Sequence, residues 1–175
     1  MTRLLVAYAT RCGSTKGVAE AIGRGLAAAG WGVDVRPVGE VRDLRPYRAA
    51  VIGSPIRGGR WLPEAVDFVR KNGEALKRMP VAYFAVCLTL RDDTEGNRSE
   101  VAACLDPVCE LVQPVELGLF AGALDPSSLP LVLRLLLRCI KAPAGDFRDW
   151  DAIRAWAVKL GKEMTGKLGV RCGRT

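Results

Sequence analysis

The sequence predicts an α/β protein: a doubly wound, five-stranded parallel sheet in the order 2-1-3-4-5, with helices on both faces. Three observations predict it. Apolar stretches of strand length alternate with stripes of helical spacing along all 175 residues. Three of the strand-like stretches are continuously apolar, and two alternate apolar with polar. The first stretch ends in a loop of hydroxyls and one glycine, and a helix follows at once.

The strands are expected at Leu4–Ala9, Val33–Val38, Ala49–Ser54, Val81–Leu88 and Val115–Ala121. Between the first two, Val18, Ile22 and Leu26 recur at four-residue spacing, and Gly30 stops that helix. After the third strand Pro63 suits a first helical turn, Val66 and Val69 lie inside the helix, and Gly73 ends it. Val101, Cys104, Leu105 and Val108 trace a further stripe, kinked or split at Pro107. Ile153, Trp156, Ala157, Leu160 and Met164 mark a last helix. Strands one, three and four are the continuously apolar ones, as central strands covered on both faces must be. Val33-Asp34-Val35-Arg36 and Val115-Glu116-Leu117 alternate, as edges do. That partition matches the doubly wound order 2-1-3-4-5. One domain is expected over residues 1–165, with a helical insert at about 126–143 and a basic, loosely ordered tail at 166–175.

Composition narrows the class. Hydrophobic residues make up 49% of the chain, and mean hydropathy is only +0.11, as in soluble globular proteins. No apolar run is long enough to span a bilayer, and Met1–Leu5 leads into the first strand without the regions of a signal peptide. A cytoplasmic protein is expected. Cys12, Cys87, Cys104, Cys109, Cys139 and Cys172 are scattered without a C-x-x-C pair, as reduced core cysteines are, and no metal site is expected. The chain has no histidine, which removes a Ser-His triad and the commonest general base. Lys and Arg number 26 against 19 acidic residues, and the pI is near 9.3. That excess suits an anionic partner or a solvated surface alike. The basic residues are spread out with no aromatic-interleaved groove, so no nucleic acid partner is expected.

Ligands of an open parallel sheet bind beyond the carboxyl ends of the strands, where the order reverses. Three loops converge there: Thr10–Thr15, Ser54–Trp61 and Leu88–Asp93. The first offers clustered backbone N–H groups, hydroxyls and a helix N-terminus to one anion. It is neither a Walker A sequence nor G-x-G-x-x-G. Without the former, a metal-held triphosphate and its hydrolysis fit poorly, and a mononucleotide phosphate fits better.

At these residues the chain resembles the flavodoxin-fold proteins, and more narrowly the menaquinone-dependent protoporphyrinogen dehydrogenases. Ala9-Thr10-Arg11-Cys12-Gly13-Ser14-Thr15 is similar to that family's phosphate loop, and Gly53-Ser54-Pro55-Ile56-Arg57-Gly58-Gly59 to its second flavin loop. Phe120-Ala121-Gly122-Ala123-Leu124 resembles the end of its fifth strand, and Asp149-Trp150-Asp151 the start of its last helix. The resemblance implies noncovalent FMN. Thr10, Arg11, Cys12, Gly13, Ser14 and Thr15 would hold its phosphate. Ser54, Pro55, Ile56, Arg57 and Gly58 would line one side of the ring, and Leu88, Thr89, Leu90 and Arg91 the other. Two positions depart from ordinary flavodoxins: Cys12 stands where a hydroxyl is often found, and Leu90 where a stacking tyrosine is common. Trp61 would either stack on the ring or pack beneath its own loop.

The resemblance also implies a reaction: oxidation of protoporphyrinogen IX, a tetrapyrrole, with a quinone as acceptor, in haem biosynthesis. A flavodoxin-type electron carrier with no substrate of its own is the alternative. Carrier flavodoxins are typically acidic, which disfavours a second electron on the ring. Arg57, Arg60 and Arg91 in the loops of this basic chain favour two-electron chemistry and could pair with substrate carboxylates. No catalytic side chain is evident. Within the insert, Leu129–Lys141 puts Arg134, Arg138 and Lys141 on one narrow face of a helix and leucines, Val132 and Ile140 on the rest. Such a helix suits either an anionic lipid surface, as a peripheral contact on the inner face of the cell membrane, or a core or oligomer contact.

Overall fold

The computed structural model of the protein describes residues 1–125, 130–139 and 144–172. Its main sheet contains β1 (Arg3–Tyr8), β2 (Gly32–Pro37), β3 (Ala49–Arg57), β4 (Val81–Cys87) and β5 (Glu116–Ala121). They run parallel in the order β2-β1-β3-β4-β5, as the apolar patterning predicts. The helices are α1 (Ser14–Ala28), α2 (Pro63–Lys71), the short α3 (Gly73–Leu76), α4 (Glu95–Ala103), α5 (Asp106–Leu111), α6 (Leu131–Cys139) and α7 (Trp150–Cys172).

Successive side chains of a strand point to opposite faces, and this divides the core in two. Leu5, Ala7, Ile52 and Tyr83 face one side, against Phe68, Val69, Leu76, Leu105 and Val108. Leu4, Val6, Val51 and Phe84 face the other, where Val18, Ile22 and Leu26 of α1 meet Ile153, Leu160 and Met164 of α7. The central strands are buried throughout their middles, and β2 and β5 are only half-buried, so the edge assignment follows from which faces are covered.

Four local features have physical causes, and three of them depart from the sequence expectation; the split at Pro107 follows it. First, β3 runs to Arg57, beyond the expected end at Ser54, because Ile56 and Arg57 pair antiparallel with a two-residue strand, Arg60–Trp61. Gly58 (φ +56°) and Gly59 (φ +72°) make the turn between them, a two-residue hairpin that requires positive φ at both positions. Second, Gly73 does not simply end a helix: it opens α3. Third, the stripe at Pro107 is two helices, with the proline in the first turn of α5, where its missing N–H costs nothing. Fourth, α7 continues to Cys172, so residues 166–172 are helical where the sequence suggests a loose tail. Residues 173–175, and residues 126–129 and 140–143 of the insert, lie outside the described residues. Of the predicted helix 129–141, residues 131–139 are described as helical.

Gly53 shows how tightly the sheet is packed beside the loops. A Cβ at this position would fall 2.1 Å from the Phe84 ring, itself fully buried. Replacing Gly53 with alanine is expected to destabilise the fold by about 1–3 kcal/mol, the range for overpacking a core. The shift in urea-unfolding midpoint of Gly53→Ala measures it.

Candidate functional site

A cavity of about 270 Å³ opens at the carboxyl ends of β1, β3 and β4. The whole run from Thr10 to Thr15 lines it. The Gly13 N–H donates to Thr10 Oγ1 at 3.0 Å, closing the turn, and Gly13 adopts φ +84° just before α1 begins. No side chain caps that helix N-terminus, and the first N–H groups of any helix lack intrahelical acceptors. Thr15 is fully buried, yet its Oγ1 has no hydrogen-bond partner. A buried hydroxyl left unpaired is costly, so this one points to a ligand acceptor. Orphan donors, the positive end of the helix and an unpaired hydroxyl together form a cradle for one phosphate-like anion.

The second loop supplies Pro55, Ile56 and Arg57 to the wall. Arg57 Nη2 donates to Cys12 Sγ at 3.1 Å, which couples the two loops. Arg11 forms an ion pair with Glu64 in the first turn of α2, its Nη2 lying 3.1 Å from Oε2. Ser54 and Gly58, both expected to line the ring, do not line the cavity. Ser54 is buried behind it. Its Oγ accepts from the Leu62 N–H and donates to the Pro55 carbonyl, each at 2.9 Å, and so shapes the loop from within. Gly58 sits at the exposed hairpin tip. Trp61 packs edge-on against Tyr83, 5.3 Å between ring centres, in the core beneath its own loop.

The third loop places only Leu88 in the wall, beside Val86. Residues Leu88–Arg91 form a 3₁₀ turn, which swings Leu90 into the core while Thr89 and Arg91 stay exposed. Arg91 Nε pairs with Asp92 Oδ2 at 3.1 Å and borders a neighbouring groove. The Asn97 side chain fixes this turn by donating to the Thr89 and Asp92 carbonyls at 3.2 and 2.7 Å.

The wall that sequence reasoning missed is the fourth one. Gly122, Ala123, Leu124 and Asp125 line the cavity, and so does Arg148. Ala123–Leu124 pairs antiparallel with Gly145–Asp146, which brings the two ends of the insert together at the site. The motif Phe120–Leu124 signalled this region, but nothing in the spacing marked Arg148. The resulting cavity has a polar end at α1 and apolar sides from Pro55, Ile56, Val86, Leu88 and Leu124. It fits a ligand that joins a phosphate to a flat apolar ring.

Ser54 is a test of this scaffold that needs no ligand. In Ser54→Ala the buried Leu62 N–H loses its acceptor, and a loss of about 1–3 kcal/mol is expected in urea unfolding of the ligand-free protein.

Comparison with known proteins identifies the family. A family model described as the flavodoxin domain matches residues 5–151. Protoporphyrinogen IX dehydrogenase (quinone) of Escherichia coli strain K12 is 31% identical over 172 residues, covering 90% of this chain and 94% of that protein. The protein of the same name from Leishmania major is 29% identical over 171 residues, covering 89% and 73%. Among solved structures, a flavodoxin from the domain Archaea superposes with a TM-score of 0.59 at 17% identity, covering 94% of this chain and 99% of that one. Oxidised Flavodoxin 2 from Bacillus cereus gives 0.59 at 20% identity, covering 93% and 99%. The chain belongs to the flavodoxin domain family, and FMN is the cofactor that this membership implies.

Proposed function

We propose that the protein is an FMN-dependent oxidoreductase that oxidises protoporphyrinogen IX and passes the electrons to a quinone. The observation that carries the reading is the cavity itself: a phosphate cradle with an unpaired, fully buried Thr15 hydroxyl, flanked by apolar walls. The names of the two relatives supply the substrate and acceptor.

In this reading Thr10–Thr15 hold the phosphate through the first-turn N–H groups and the hydroxyls of Ser14 and Thr15. Pro55, Ile56 and Arg57 cover one side of the ring, and Leu88 with Gly122–Leu124 covers the other. Bound there, FMN supplies a ring that accepts two electrons from substrate and returns them to an acceptor. The chain's own part is to hold the ring, shield it from water and set the charge around it. Arg57, tied to Cys12, puts a guanidinium at the wall, where its positive charge would favour two-electron chemistry of a bound flavin. The arginines are also suited to carboxylates of an acidic tetrapyrrole.

The insert supports a location at a lipid surface. No helix among the described residues is long and apolar enough to cross a membrane. Yet α6 exposes Leu131 (70%), Val132 (80%), Leu135 (55%) and Leu136 (55%). With Arg134, Arg138 and Lys141 in the same segment, residues 129–141 would lie in an anionic lipid surface, as a peripheral contact from the cytoplasmic side. A lipid-dissolved quinone would then be within reach.

Anaerobic mixing of FMN-loaded protein with protoporphyrinogen IX tests the reaction. Bleaching of the flavin absorbance, followed by recovery on adding menaquinone, is expected. A flavin that stays coloured with protoporphyrinogen would leave an electron carrier instead. Cosedimentation with vesicles containing anionic phospholipid tests the location. The double variant Leu135→Glu, Leu136→Glu is expected to lose vesicle binding while its thermal midpoint stays unchanged, since both side chains are exposed.

A further inference from the structure

Arg148 lines the cavity beside α1, and neither the family motifs nor the loops assigned to the ring use it. Its guanidinium is held from three directions. Asp146 takes it bidentately, Oδ1 at 2.8 Å from Nε and Oδ2 at 2.6 Å from Nη2. The Trp150 ring lies 4.5 Å below its Cζ. Nη1 donates to the Ser14 carbonyl at 3.3 Å, in the first turn of α1. The side chain is only 18% exposed. A long, flexible cation fixed in this way has lost its rotamer freedom before any ligand arrives.

An arginine has five N–H donors, and these contacts occupy three of them. Two remain on a guanidinium that borders the same cavity as the unpaired Thr15 hydroxyl. Gly17 makes the approach possible. A Cβ at position 17 would lie 2.9 Å from Arg148 Nη1, so any larger residue there displaces the guanidinium from the first turn.

We propose that Arg148, oriented by Asp146 and Trp150 and admitted by Gly17, is a charged side-chain anchor for the cofactor's phosphate and sets the preference for FMN over unphosphorylated flavin. The inference rests on the reading that Thr10–Thr15 hold that phosphate. It adds a fixed cation on the α1 side of the cavity to the N–H groups and hydroxyls of the loop. Ion pairing of phosphate with a pre-oriented guanidinium is among the stronger polar contacts available to a protein.

Titration of FMN-free protein with FMN and with riboflavin, read by flavin fluorescence, tests it. Riboflavin shares the ring and sugar alcohol and lacks the phosphate. The wild type is expected to bind FMN more tightly. In Arg148→Met the FMN Kd is expected to rise at least about tenfold, while the riboflavin Kd stays within about twofold. Gly17→Ala acts on the same guanidinium through a change that favours the helix, so it keeps the experiment decisive if Arg148→Met folds poorly. It is expected to weaken FMN selectively with no fall in thermal midpoint. An unchanged FMN Kd in both variants would overturn the proposal. So would equal losses for FMN and riboflavin, which would make Arg148 a wall residue only. A wild type that takes up neither flavin would overturn the cofactor reading itself, and this inference with it.

Discussion

A parallel sheet whose order reverses between β1 and β3 cannot close its own carboxyl edge. The chain leaves β1 towards α1 on one face and leaves β3 towards α2 on the other, so a crevice stays open between the two exits. That constraint fixes where chemistry can happen. The first turn of α1 must point its unpaired N–H groups into the crevice, and the chain beyond β3 must form its opposite wall. The hairpin at Gly58–Gly59, the buried Ser54 hydroxyl and the core position of Trp61 are the means by which the β3 wall keeps its shape.

Charge is arranged by the same geometry. The chain carries a formal +7, yet the cations near the crevice are not loose. Arg11 is held by Glu64 across the two walls, Arg57 by Cys12, and Arg148 by Asp146. The exposed Arg11–Glu64 pair contributes at most about 1 kcal/mol to stability, so its effect is positional. For Asp146, hydrogen bonding from the Arg148 side chain holds the carboxyl below its ordinary range. The pair therefore stays ionised under conditions that neutralise a free aspartate, and the guanidinium keeps its orientation. The thiols of Cys104 and Cys109 behave in the opposite way: burial pushes both up, which keeps them protonated and apolar in the core.

The fold was legible because its signals are collective. Leu4–Ala7, Ala49–Ile52 and Val81–Val86 are apolar on both faces, which puts all three strands inside the sheet and leaves β2 and β5 as its half-exposed edges. The loop after β1 was legible as a candidate anion site because a strand end, a glycine and a helix start occur within a few residues of one another. The third loop was not. A 3₁₀ turn rotates side chains by a different step from either a strand or an α-helix, so Leu90 reads as exposed beside the crevice and folds into the core. Arg148 was illegible for another reason: its partner Ser14 lies 134 residues away, and it is the packing of α7 on α1, with the Ala123–Leu124 to Gly145–Asp146 pairing, that brings the two together.

That small pairing also governs the insert. Residues 124 and 145 are opposed across two antiparallel strands, about 5 Å apart in the ladder direction. The insert therefore leaves the cavity wall and returns to it at nearly the same point. Gly122–Asp125 precede it and Arg148 follows it, and all of them line the crevice. The insert is short, so a helix lying on a lipid surface, as proposed, would keep the crevice mouth near that surface. Burying four exposed aliphatic side chains at roughly 1.5 kcal/mol or more each would be enough to hold a small protein reversibly at a bilayer. Attachment and access to an apolar electron acceptor would then follow from one structural element, with no need for a spanning segment.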